Sequence, residues 1–128
     1  MRVLALDYGS ARCGCAVSDP TGMIATPLEV VQTPRSKPGL ARLTSLVTEL
    51  LVERVVVGLP VGLSGDDTDQ TREARGFADA LRARVSVPVE MYDERFTTTI
   101  AARSGGSRSD EDSRAAAVLL EDWLARHG

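Results

Sequence analysis

Lysine is almost missing from this sequence. Of its 15 basic residues only Lys37 is a lysine, so contacts to an anionic partner would fall to arginines, whose planar guanidinium can grip a phosphate through two parallel hydrogen bonds. Basic charge is not in excess either: 18 acidic residues set the net charge at −3. That balance argues against a surface coated for tight nucleic-acid binding and leaves room for a local basic patch. Histidine occurs once, at His127, which leaves a serine-histidine mechanism with little support. The two cysteines, Cys13 and Cys15, stand two apart on an apolar stretch. On a strand they share a face and are too far apart for a good disulfide, and they lack CxxC spacing, so they read as small core residues.

Long hydrophobic runs are also absent. Nothing approaches the roughly 20 apolar residues of a bilayer span. Met1-Arg2 leads straight into a strand pattern, so no signal peptide is expected and the chain reads as cytoplasmic, with no membrane partner. What is present is a globular composition, 43% hydrophobic and 26% charged over 128 residues, enough for a single domain spanning 1–128.

Residues 2–8 (RVLALDY) are a continuous apolar run ending at a carboxylate, the pattern of a strand buried on both faces. Residues 13–18 form a second strand, 19–22 (DPTG) a turn, and 23–31 a third strand. Pro27 in that third strand suggests an edge position, where a missing N–H costs no ladder bond. Helical spacing runs from Leu40 to Glu53, VVVGLP (55–60) is a buried strand, and 61–70 a polar loop. A helix follows through about Arg84 with Ala74, Phe77, Ala78 and Leu81 on one face, then a fifth strand at 87–95. A short Thr-rich turn, a Gly-Ser stretch at 104–109 and a helix from Asp110 to Arg126 complete the chain.

A meander followed by strand-helix-strand-helix-strand makes the first, fourth and fifth strands parallel, because each crossover helix returns to the same end of the sheet. Ligands of such α/β sheets sit beyond the carboxyl ends of the parallel strands. Those ends hold Asp7-Tyr8-Gly9, Gly58-Leu59-Pro60 and Asp93-Glu94-Arg95, and the last helix opens with Asp110, Glu111 and Asp112. Clustered carboxylates are tolerable at neutral pH chiefly with a cation among them, and oxygen donors without thiols suit Mg2+ or Mn2+. Strand alternation sends Asp93 and Glu94 to opposite faces, so one of them reaches the site. Asp112 has a rival reading, because Ser109-x-x-Asp112 resembles a capping box. Gly9 and Gly58 leave space for a phosphate backbone to approach, and Arg75, with Arg72, could turn toward that space.

"LALDYGSARCGCAVSD", "VVVGLPVGLSG…QTREARGFADAL", "VEMYDERFTT" and "DSRAAAVLLEDWL" together resemble the YqgF, or RuvX-like, family of pre-16S rRNA nucleases, earlier described as Holliday junction resolvases. The resemblance covers nearly the whole chain in order. It implies a ribonuclease H-like α/β fold, a five-stranded mixed sheet of order 3-2-1-4-5 flanked by helices. It also implies a metal-dependent nuclease acting on the 5′ region of precursor 16S rRNA during assembly of the small ribosomal subunit. The family's acids fall on Asp7, on Asp93-Glu94-Arg95 and on Asp112, which makes Asp7, Asp112 and one of Asp93 or Glu94, with Glu94 preferred, the implied catalytic and metal-holding set. Arg95, with Arg12 or Arg75, would neutralise phosphate charge, and Thr97 and Thr98 would donate hydroxyls. The segment before Asp112 is shorter and poorer in lysine than is usual, and Gly62 stands where the family often has asparagine. Alternatives with the same residues are a resolvase of branched DNA and an RNA-binding assembly factor that does not cut. A nucleotide-binding module of the actin and sugar-kinase type is disfavoured by length for only one domain. Monomer and homodimer are both open.

Overall fold

The computed structural model describes residues 1–59, 69–93 and 108–127. Its elements are β1 (Val3–Asp7), β2 (Arg12–Ser18), β3 (Ala25–Gln32), α1 (Lys37–Glu49), β4 (Arg54–Leu59), α2 (Asp69–Arg82), β5 (Val89–Asp93) and α3 (Arg108–His127). The strands form one sheet in the order β3-β2-β1-β4-β5. β1 runs antiparallel to β2 and parallel to β4, which is parallel to β5. This is the sheet the sequence implied, with Pro27 on the edge strand β3, opposite Ala16.

Alternation along β1 divides the core. Leu4 and Leu6 pack with Leu40, Leu43, Leu46 and Val47 of α1 and with Phe77, Ala78 and Leu81 of α2. Val3 and Ala5 point the other way, into Ala116, Ala117, Leu119, Leu120 and Trp123 of α3. A strand buried on both faces must be apolar throughout, and VLAL is. Hydrogen bonds tie α3 to the sheet: the Ser113 hydroxyl donates to the Leu28 carbonyl at 2.5 Å, and the Tyr92 hydroxyl is bonded to Asp122. Among the described residues, no helix is long and apolar enough to cross a membrane.

The first helix differs from the expected Leu40–Glu53. It begins earlier because Ser36 caps it, its side chain accepting from the Gly39 amide at 3.1 Å, with Pro38 in the first turn. It ends earlier because Leu51 takes a left-handed φ of 54°. The Val52 amide then donates back to the Val47 carbonyl at 3.0 Å, closing a Schellman-type end. Val52 is buried as a result, and Leu51, which falls within the expected helix, is 79% exposed.

Candidate active site

Asp7 is the last residue of β1 and half-buried. It shares the parity of Val3 and Ala5, so strand alternation sends it to the α3 side of the sheet. Its partner across the ladder in β2 is Gly14. A Cβ on Gly14 would overlap the backbone carbonyl of Asp112, so the first turns of α3 rest directly on β2 at this point. The Asp112 carboxylate in turn reaches back to β2, where its Oδ2 accepts a hydrogen bond from Arg12 Nε at 2.8 Å. Asp7, Arg12 and Asp112 are thus gathered around a single glycine.

The thiol of Cys13 reports the same convergence. Its pKa is raised well above the ordinary value, first by its hydrogen bond with Cys15, then by complete burial, and further by electrostatic interaction with Cys15, Asp7 and Asp112. Both cysteines are free and buried, as small core residues should be.

Asp112 does not serve as the acid of a capping box. α3 begins at Arg108, so Ser109 lies inside the helix and not at its cap, and the Asp112 side chain is turned across to β2. The ion pair with a residue 100 positions away replaces the local interaction that spacing alone suggested.

Gly9 follows Asp7, and a Cβ there would come 2.6 Å from the Arg12 carbonyl oxygen, so the turn between the strands needs glycine to close. Gly58 is buried in β4. Leu6 pairs with Val57 in the parallel register, which sets Gly58 beside Asp7 one step further on. Arg75 belongs to the layer on the other face of the sheet. It is exposed on α2, and the buried stripe Thr71, Ala74, Phe77, Ala78 and Leu81 pins that helix to the face of the sheet opposite α3. Arg72 is paired with Asp69 on the same helix. The backbone of Asp93 closes β5 opposite Leu59; its side chain, and all of Glu94, Arg95, Thr97, Thr98 and Gly62, lie outside the described residues.

His127 stacks on Trp123, with ring centroids 4.5 Å apart, about 22 Å along α3 from Asp112 at 1.5 Å per residue. It takes no part in the site. Gly14 is the residue that sequence reasoning missed. Its available signal was a glycine inside a strand pattern, which marks a close approach of another backbone.

A model of the RuvX family, described as Holliday junction resolvase, matches residues 1–126. The chain belongs to the RuvX family. Among its relatives, a protein of Mycobacterium leprae is 45% identical over 96% of this chain and 72% of its own length. One of Maridesulfovibrio salexigens is 36% identical over 98% of this chain and 99% of its own. Both bear the name "Putative pre-16S rRNA nuclease". Among solved structures, Thermus thermophilus RuvC in complex with a Holliday junction substrate aligns with a TM-score of 0.64 at 20% identity, covering 100% of this chain and 97% of that one. That likeness shows a shared fold, the ribonuclease H-like arrangement of RuvC.

Among the described residues no three carboxylate, thiol or imidazole groups gather closely enough to hold a metal ion. Asp7 and Asp112 supply two hard oxygen donors, a set suited to Mg2+ or Mn2+ rather than to a soft metal.

Proposed function

We propose that this chain is a metal-dependent nuclease that hydrolyses phosphodiesters in the 5′ region of precursor 16S rRNA. Its substrate would be the RNA of the assembling small ribosomal subunit in the cytoplasm, and residues 1–128 would act as a single domain. The observation that carries the reading is that Gly14, the ladder partner of Asp7 at the carboxyl end of β1, is also where the backbone of Asp112 rests. Membership of the RuvX family and the name borne by its relatives support the choice of RNA.

Asp7, Asp112 and Glu94 would hold Mg2+ or Mn2+. Glu94 is kept as the third ligand, with Asp93 as its alternative. When bound, such ions supply an activated water and neutralise charge on the phosphate and on the leaving oxygen. The chain's own contribution is placement. β1, buried on both faces, fixes Asp7; Gly9 lets the turn after it close against the Arg12 carbonyl; Gly58 would leave room for the sugar-phosphate backbone; Arg95 would neutralise its charge, with Thr97 and Thr98 as hydroxyl donors.

The test is cleavage of 5′-extended precursor 16S RNA beside a four-way DNA junction, in Mn2+ and in EDTA. The expected result is cleavage of the RNA that disappears in EDTA and returns when Mn2+ is restored. Cleavage of the junction alone would replace this reading by a resolvase, and binding of RNA without cleavage by an assembly factor.

A further inference from the structure

Arg12 is paired with Asp112, where its charge would compete with a metal ion. Its Nε donates to Asp112 Oδ2 at 2.8 Å, and both side chains remain about a third exposed, at 28% and 31%. The backbone beneath it is held firmly: Arg12 pairs with Gln32 of β3, the Thr33 amide donates to the Ala11 carbonyl at 2.9 Å, and the turn at Gly9 closes against the Arg12 carbonyl. The guanidinium is thus a long arm on a fixed pivot, bonded to an acid and not buried with it. Partly exposed ion pairs of this kind are weak enough to be exchanged, and a guanidinium binds phosphate by the same charge-assisted bonds that it makes to carboxylate.

We propose that Arg12 couples metal binding to RNA binding, pairing with Asp112 when no phosphodiester is present and turning to the backbone phosphate when one arrives. The inference rests on the metal-dependent reading above. Three effects act in one direction. The guanidinium engages an oxygen of a proposed metal ligand, it repels a divalent cation, and it relieves the repulsion between Asp7 and Asp112 that would otherwise favour the ion. Transfer of Arg12 to phosphate removes all three, so RNA raises metal affinity. By linkage, metal raises RNA affinity by the same factor.

The measurement is calorimetric titration of Mn2+ into the wild type, Arg12→Gln, Arg12→Met and Arg12→Lys, each with and without a short phosphorothioate-backbone RNA, which keeps the backbone charge and resists hydrolysis. Wild type is expected to bind Mn2+ about tenfold more tightly when the RNA is present. The two neutral variants are expected to bind it about tenfold more tightly than wild type without RNA, and to gain less from RNA than wild type does. Arg12→Lys restores the weaker RNA-free affinity, because it restores the cation. Thermal unfolding of each variant identifies any that fails to fold, and the two neutral replacements keep the comparison intact. Neutral variants that bind Mn2+ no more tightly than wild type, or that keep its full response to RNA, overturn the role of Arg12 alone. Absence of Mn2+ binding in wild type and variants alike overturns the metal-dependent reading and this inference with it.

Discussion

Asp7→Asn is expected to abolish RNA cleavage while leaving the protein folded. Asp7 ends a strand whose Val3, Leu4, Ala5 and Leu6 are wholly buried, and those four residues anchor β1. Asparagine keeps the shape of the side chain and removes one of two like charges, so thermal stability should change by less than about 1 kcal/mol. Activity should change far more. Metal ions acting on a phosphodiester lower the barrier by several kcal/mol, and losing about 4 kcal/mol of that corresponds to roughly a 10³-fold slower reaction. Cleavage of 5′-extended RNA in Mn2+, measured beside a thermal unfolding curve, separates the two effects. A folded variant cutting within tenfold of wild type would remove Asp7 from the proposed metal site.

Gly14→Ala should have the largest effect on stability of any single methyl addition at the site. The added Cβ meets backbone, the carbonyl of Asp112, and backbone at a strand-helix contact cannot step aside as the tip of a flexible side chain could. α3 must lift from β2. That loosens the packing of Ala116, Leu119 and Leu120 on Val3, Ala5 and Ala16 and carries Asp112 away from both Arg12 and Asp7. Overpacking of this kind costs about 1–3 kcal/mol, and a shift of about 1 Å in a catalytic group can cost about a hundredfold in rate. The expected outcome is a lower unfolding temperature together with at least that loss of cleavage. A variant of unchanged stability would mean that α3 does not press on Gly14.

Much of the architecture was legible because it depends on local pattern. The uninterrupted VLAL run, the Pro27 of the edge strand and the strand-helix alternation after β3 fix which strands are buried, which is outermost and which are parallel. The ends of α1 were less legible. Apolar spacing starts only at Leu40, whereas the helix starts where Ser36 can cap it. Its close depends on a left-handed leucine, Leu51, that no glycine advertises.

At the site, the acids were legible singly and their relations were not. Spacing made Asp112 the partner of Ser109, yet its carboxylate is bonded to Arg12, 100 residues away. No local pattern can show such a pair. Arg75 stood at plausible helical spacing, but the orientation of α2 is dictated by the burial of Thr71, Phe77 and Leu81, which commits the helix to the other side of the sheet. Gly14 looked like one small residue among the small residues of CGCA. Its requirement comes from the backbone of α3, which is visible only in three dimensions.

The central claim is that Asp7 and Asp112 together hold a divalent cation. Its most direct test is titration of Mn2+ into wild type, Asp7→Asn, Asp112→Asn and the double variant, followed by calorimetry without RNA. The account predicts saturable binding to wild type, weaker binding to each single variant, and none to the double variant. Equal binding to wild type and the double variant would contradict it, because the ion would then be held somewhere else.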